Sequence, residues 1–176
     1  MNLITKRVHM NRCNGREVKQ LTLDRDFNVS DARPDALQIM KEQGEVQIEE
    51  VHMMEGKASV KGLLHFQILY ASDGDIPVSE MTGTIPFEET IPLPQAKAED
   101  EISVQAEIGD LKSELINSRK LGMKAIVVLN VTAGSVCDGE GAIDIEGGED
   151  IYTKKRTAEV SYLVFSKKDT LRVRDE

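Results

Sequence analysis

Apolar and polar residues alternate along most of this chain. Between 57 and 70, Ala58, Val60, Gly62, Leu64, Phe66, Ile68 and Tyr70 fall on one face, and Lys57, Ser59, Lys61, His65 and Gln67 on the other. From 101 to 108, Ile102, Val104, Ala106 and Ile108 alternate with Glu101, Ser103, Gln105 and Glu107. Leu121, Met123, Ala125, Val127, Leu129 and Val131 share a face between 120 and 131, as do Ala158, Val160, Tyr162 and Val164 further on. Successive side chains of a strand point to opposite sides, so this period of two predicts half-buried antiparallel strands.

Turn chemistry separates the runs. Asn14-Gly15 lies between Leu3–Met10 and Glu17–Leu23 and predicts a hairpin. Glu55-Gly56 separates Val46–Met53 from the strand at Lys57, and Asp73-Gly74-Asp75 ends that strand. Pro86, Pro92 and Pro94 lack the N–H that a central ladder needs, which places residues 85–94 at an edge or a sheet end. One short helix is predicted near 34–42: Pro34 and Asp35 suit a first turn, Leu37, Met40 and Ile39 give a buried side, and Gly44 stops it.

Two segments echo one another, since Gly44–Tyr70 and Glu101–Val131 both read strand, tight turn, long strand. Each is followed by another strand, near 84–91 and 156–165. The expected architecture is an all-β antiparallel sandwich or open barrel of about eight strands with one short helix. Residues 1–165 are expected to form a single domain, and 166–176 a linker or the start of a following unit. Leu171-Arg-Val-Arg-Asp-Glu176 echoes Leu21-Thr-Leu-Asp-Arg-Asp26.

The 176 residues are 40% hydrophobic and 30% charged, with a formal net charge of -9. The acidic balance disfavours nucleic-acid backbones and anionic membranes, so neither nucleic-acid binding nor membrane insertion is expected. No apolar run approaches the ~20 residues of a membrane span. The opening residues lack a basic segment followed by an apolar one, so no secretory signal is read there. Cys13 and Cys137 form no C-x-x-C pair and fit a reducing compartment.

Candidate chemistry is sparse. His9, His52 and His65 have no zinc-site spacing, and phosphate-loop, dinucleotide and hydrolase-elbow motifs do not occur. The acidic stretch 138–150 offers Asp138, Glu140, Asp144, Glu146, Glu149 and Asp150 as oxygen donors, but not at EF-hand spacing. It reads as a glycine-rich, solvated connection. Glu88 and Glu89 are strand neighbours and point apart, so they make no carboxylate pair. With no Trp, and with Phe66, Tyr70 and Tyr162 on apolar faces, a glycan platform is not expected. No catalytic residue, cofactor or metal site is expected.

Several stretches, in order, resemble one family. Asp26-Phe-Asn-Val-Ser-Asp-Ala-Arg-Pro-Asp35 is similar to the D-x-x-V-P-D-x-K-P-D opening of the SPOCS domain, with Ser30 and Arg33 in place of Pro and Lys. Glu55–Gly62, His65–Tyr70 and Ile85–Ile91 resemble its D-G-K-V-x-V-x-G, L-Y and I-P-F-x-E-x-I elements. Glu114-Leu-Ile-Asn-Ser-Arg-Lys120 resembles its E-x-x-N-S-R-K turn.

The resemblance, spanning roughly residues 17–176, is to the SPOCS-domain family of SipL-like spore coat morphogenesis proteins. Family members carry tandem SPOCS units followed by a LysM module, and this chain looks like an N-terminal portion. The resemblance implies a non-enzymatic structural and interaction module in spore-coat assembly, on the mother-cell (cytoplasmic) side of the forespore. The implied partners are coat morphogenetic proteins, the coat-assembly ATPase above all, together with self-association. The alternative is a peptidoglycan-associated binding module of a LysM-containing protein. Asp31, Arg33, Pro34, Asp35, Asn117, Ser118, Arg119 and Lys120 are the candidate structural or interaction residues. The last four read as a hairpin tip, with Asn117 suited to a tight turn and Arg119 and Lys120 able to reach acidic neighbours or a partner.

Overall fold

The computed structural model describes residues 2–73, 76–147, 154, 156 and 157. Six strands follow in chain order: β1 (Asn2–Asn28), β2 (Ala36–Met54), β3 (Lys57–Ser72), β4 (Val78–Pro92), β5 (Glu101–Asn117) and β6 (Lys120–Glu146). They form two three-stranded sheets, ordered β1-β6-β5 and β2-β3-β4. The pairs β2/β3, β3/β4 and β5/β6 are antiparallel. Of the expected all-β sandwich or open barrel of about eight strands, the sandwich is the observed fold, with six strands among the described residues. The chain divides into two compact units, Cys13–Gly134 and Met1–Arg12 with Ser135–Glu176.

The sandwich lies in the larger unit, and the alternating runs build its core. Along β3, Ala58, Val60, Leu64, Ile68 and Tyr70 are fully buried; along β6, Leu121, Ala125, Val127, Leu129 and Val131 are too. The start of β3 clusters with Val127–Ala133 of β6, and its later part with Leu121–Ala125. The two middle strands therefore cross the core in opposite directions. Burial of such side chains removes apolar surface from water at about 25 cal/mol per Å², which favours this layering over any open sheet.

Edge strands close the sides. On one side Glu42 of β2 accepts the Ser113 backbone N–H of β5 at 2.8 Å and the Ser113 hydroxyl as well. Gly44 permits that approach: a Cβ there would stand 3.1 Å from both Ile108 and Leu111. On the other side Lys19 of β1 meets Glu89 of β4 at 3.2 Å. Pro86 and Pro92 lie on β4, which among the described residues pairs with β3 alone, in keeping with their missing N–H groups.

The predicted helix near 34–42 is strand instead. Register shifts fall between Ala36 and Gln38 and between Ile39 and Lys41, each inserting an extra residue opposite β3. The bulges convert the inward period from two to three, so Ala36, Ile39 and Glu42 turn inward while Leu37 and Met40 are 59% and 60% exposed. Spacing of i, i+3, i+6 imitates a helix in a sequence.

Two loop readings are also corrected. Asn14-Gly15 does not turn the chain but lies within β1. The Asn14 side-chain amide sits 2.9 Å from both carboxylate oxygens of Asp100, and a Cβ on Gly15 would stand 3.0 Å from Leu93. The glycine here accommodates close packing against Leu93 rather than a turn. The stretch read as a connection at 138–150 is strand as far as Glu146. The expected strand at 156–165 falls almost entirely outside the described residues, so the third strand beside β5 and β6 is β1.

This pairing redraws the internal echo. Hairpin β2–β3 with β4 corresponds to hairpin β5–β6 with β1. Leu93, just past β4, donates its N–H to the Gly56 carbonyl in the first hairpin tip at 2.8 Å; Val29, just past β1, donates to the Arg119 carbonyl in the second, also at 2.8 Å. Ile85, Phe87, Ile91 and Leu93 match Leu21, Leu23, Phe27 and Val29 in spacing.

Candidate functional site

The sequence-selected residues meet at the tip of the β5–β6 hairpin. Asn117 pairs with Lys120 across a two-residue turn of Ser118 and Arg119. The Asn117 side-chain oxygen accepts the Arg119 N–H at 2.9 Å, a local bond that substitutes for a ladder bond where the chain reverses. The segment from Val29 to Ala36, joining β1 to β2, is strapped over this tip. Val29 donates its N–H to the Arg119 carbonyl and Ala36 donates to the Ser118 carbonyl, both at 2.8 Å.

A turn within the strap aims its carboxylates. Arg33 donates its N–H to the Ser30 carbonyl at 2.9 Å, while Pro34 fixes the backbone leading into β2. Asp31 and Asp35 then flank the Arg119 guanidinium. Nη1 of Arg119 donates to the Arg33 carbonyl at 2.8 Å and to Asp35 Oδ1 at 3.1 Å; Nη2 donates to Asp31 Oδ1 at 3.0 Å. Ser118 Oγ donates to the second Asp35 oxygen at 2.8 Å. Lys120 pairs with Asp26 of β1 at 2.6 Å.

The planar fork of Arg119 thus engages three acceptors in different directions, a geometry that a lysine ammonium does not reproduce. Its side chain is 34% exposed, whereas that of Asp31 is fully exposed. The cluster is a clasp that fixes a crossover segment to a hairpin. Six of the eight selected residues bond within it through side chain or backbone, Lys120 bonds beside it, and Pro34 contributes conformation alone. Asp26 carries no sequence signal for this pairing; the adjacency of β1 and β6 brings it to Lys120.

The acidic stretch takes a different role. In the smaller unit the Asp138 carboxylate accepts from Arg7 and pairs with His9. The Arg7 hydrogen bond, foremost, holds the Asp138 carboxyl below its ordinary range. Asp144 accepts the N–H of Ile145 at 3.0 Å, and Glu149 and Asp150 lie outside the described residues. Among the described residues, no three His, Cys, Asp or Glu side chains gather at one point for a metal ion.

Fold and tip together define a two-sheet β module whose most conspicuous polar motif is bonded internally. Residues 35–116 match the family described as SipL, SPOCS domain, and the resemblance read from the sequence is borne out. The matched segment begins at Asp35 and stops one residue before Asn117, so most of the clasp flanks it. No curated protein and no solved structure gives a significant match. A SPOCS domain suggests a sporulation-related module.

Proposed function

We propose that this chain is a non-enzymatic structural and interaction module of spore-coat assembly, acting on the mother-cell side of the forespore. Its partners are other coat morphogenetic proteins, the coat-assembly ATPase among them, and further copies of itself. The observation that carries this reading is the SPOCS match over 35–116, which falls wholly within the sandwich unit. The clasp is consistent with it, because the Arg119 donors serve the protein's own backbone and carboxylates rather than a reacting group.

The direct test is capture of the purified coat-assembly ATPase and coat proteins by this chain, alone and joined to a LysM region. Binding by either form supports the proposal. No binding by either, together with normal coats in spores lacking the gene, defeats it. Cosedimentation with peptidoglycan in place of coat-protein binding favours the cell-wall alternative.

A further inference from the structure

One end of the β2-β3-β4 sheet turns apolar side chains away from the core. Ile68 and Tyr70 of β3 are fully buried, so Leu69 and Ala71 face outward. Ala71 stands opposite Val78 of β4 and Gln38 of β2, and Leu69 stands opposite Glu80 and Lys41. The two bulges of β2 carry Ala36, Ile39 and Glu42 inward, which leaves Leu37 with Gln38, and Met40 with Lys41, on the outer face. Leu37, Met40 and Val78 are 59%, 60% and 43% exposed, and Ile76, just before β4, is 60% exposed. A contiguous apolar patch of this kind is uncommon on a protein that acts alone.

The charges on this face select its occupant. Lys41, Leu69 and Glu80 form one row across three strands, with the cation on β2, the carboxylate on β4 and the apolar residue midway. Glu80 accepts one bond, from Gln67 at 2.9 Å, and neither Glu80 nor Lys41 forms an ion pair with another described residue. Neighbouring strands are evenly spaced, so the two charges stand at equal distances on either side of β3. A second copy laid face to face, related by a two-fold axis running along β3, sets its Lys41 against Glu80 and its Glu80 against Lys41. The same operation turns Leu37 toward Val78, apolar on apolar, and Gln43 toward Thr82, amide on hydroxyl. A two-fold axis running across the strands instead opposes Lys41 to Lys41 and Glu80 to Glu80, and like charges repel.

We infer that the outer face of the β2-β3-β4 sheet, at the end carrying Leu37, Leu69 and Val78, joins two copies of this chain in an isologous dimer with reciprocal Lys41–Glu80 pairs. The inference rests on the interaction-module reading, in which further copies are among the partners, and gives that contact a surface and a symmetry.

The test is sedimentation velocity on the full 176-residue chain. It runs from micromolar to millimolar concentration, the range in which an interface of small area associates. A reversible dimer is expected. Lys41→Glu and Glu80→Lys, both surface changes, each bring like charges together and should weaken dimerisation about tenfold. Combining the two substitutions in one chain restores the pairing and the dimer. Mixing the two single variants does so as well, because every charge then meets its opposite on the other chain. Circular dichroism checks that each variant keeps the strand content of the wild type. A chain that stays monomeric throughout, single variants that dimerise like the wild type, or a mixture that fails to dimerise overturns the inference. Coat-protein capture lost in both single variants of a monomeric chain also overturns it, in favour of a different protein on this face. If the chain is monomeric and capture persists in the variants, the dimer falls and the module reading stands.

Discussion

Arg119 donates from its guanidinium to the main-chain carbonyl of Arg33 at 2.8 Å, across 86 positions of sequence. A carbonyl acceptor carries no net charge, so this bond survives salt better than the two ion pairs around it. The carboxylates are unequal as well. Asp35 receives both Arg119 and Ser118 and is half exposed, while Asp31 receives Arg119 alone and is fully exposed. Asp31→Ala should therefore destabilise less than Asp35→Ala, which should cost about 1 kcal/mol. Urea denaturation of the two variants reads the difference, and equal losses would refute this ranking.

Gly83 of β4 lies where the Phe66 ring needs space: a Cβ there would stand 2.4 Å from the ring tip, and Phe66 is only 4% exposed. Gly83→Ala should cost about 1–3 kcal/mol by overpacking. Combined with Phe66→Leu, the loss should be smaller than the sum of the single losses, because the shortened side chain makes room. Strict additivity in a denaturation double-mutant cycle would show that the glycine serves something else.

The bulged start of β2 gives a contrast in the opposite sense. Leu37→Ser and Met40→Ser should leave stability within about 0.5 kcal/mol, since both side chains face solvent. Ile39→Ala, on the side that packs against the core, should cost more than either. A large loss from Leu37→Ser would restore the helix reading, in which Leu37 and Met40 are the buried side.

These residues also show how far the sequence could be read. Period-two alternation is legible in β3, in Ile102–Ile108 of β5 and in the first half of β6, because polar side chains do not interrupt their inward positions. It failed at Ala36–Glu42, where bulges change the period, and at Asn14-Gly15, where a turn dipeptide packs flat against Leu93 and Asp100. Both depend on partners remote in sequence. The clasp was legible as two motifs, one holding Asp31 and Asp35 and the other Arg119, but their contact follows from β1 returning beside β6.

Acid titration should separate Asp138 from an ordinary surface carboxylate. Arg7 hydrogen bonding, with help from its charge and from His9, lowers the folded-state pKa below the usual 3.8. The tie to Arg7 therefore contributes fully above pH 3.8 and is lost as pH falls through the lower folded value. A carbon-detected NMR titration should place the Asp138 midpoint below 3.8 and show it rising toward that value in Arg7→Gln. A wild-type midpoint at or above 3.8 would contradict the contact.

The account turns on whether the motif at 117–120 holds the sandwich together or meets a partner directly. Arg119→Ala removes three donated bonds at a site one-third exposed, with an expected cost, discounted for solvent screening, of about 1–2 kcal/mol, or roughly 3–8 °C in melting temperature. The decisive measurement is the melting temperature of Arg119→Ala alongside its capture of coat proteins at a temperature where it remains folded. A lowered melt with retained capture is predicted. An unchanged melt with lost capture would make Arg119 a partner contact and contradict the structural clasp.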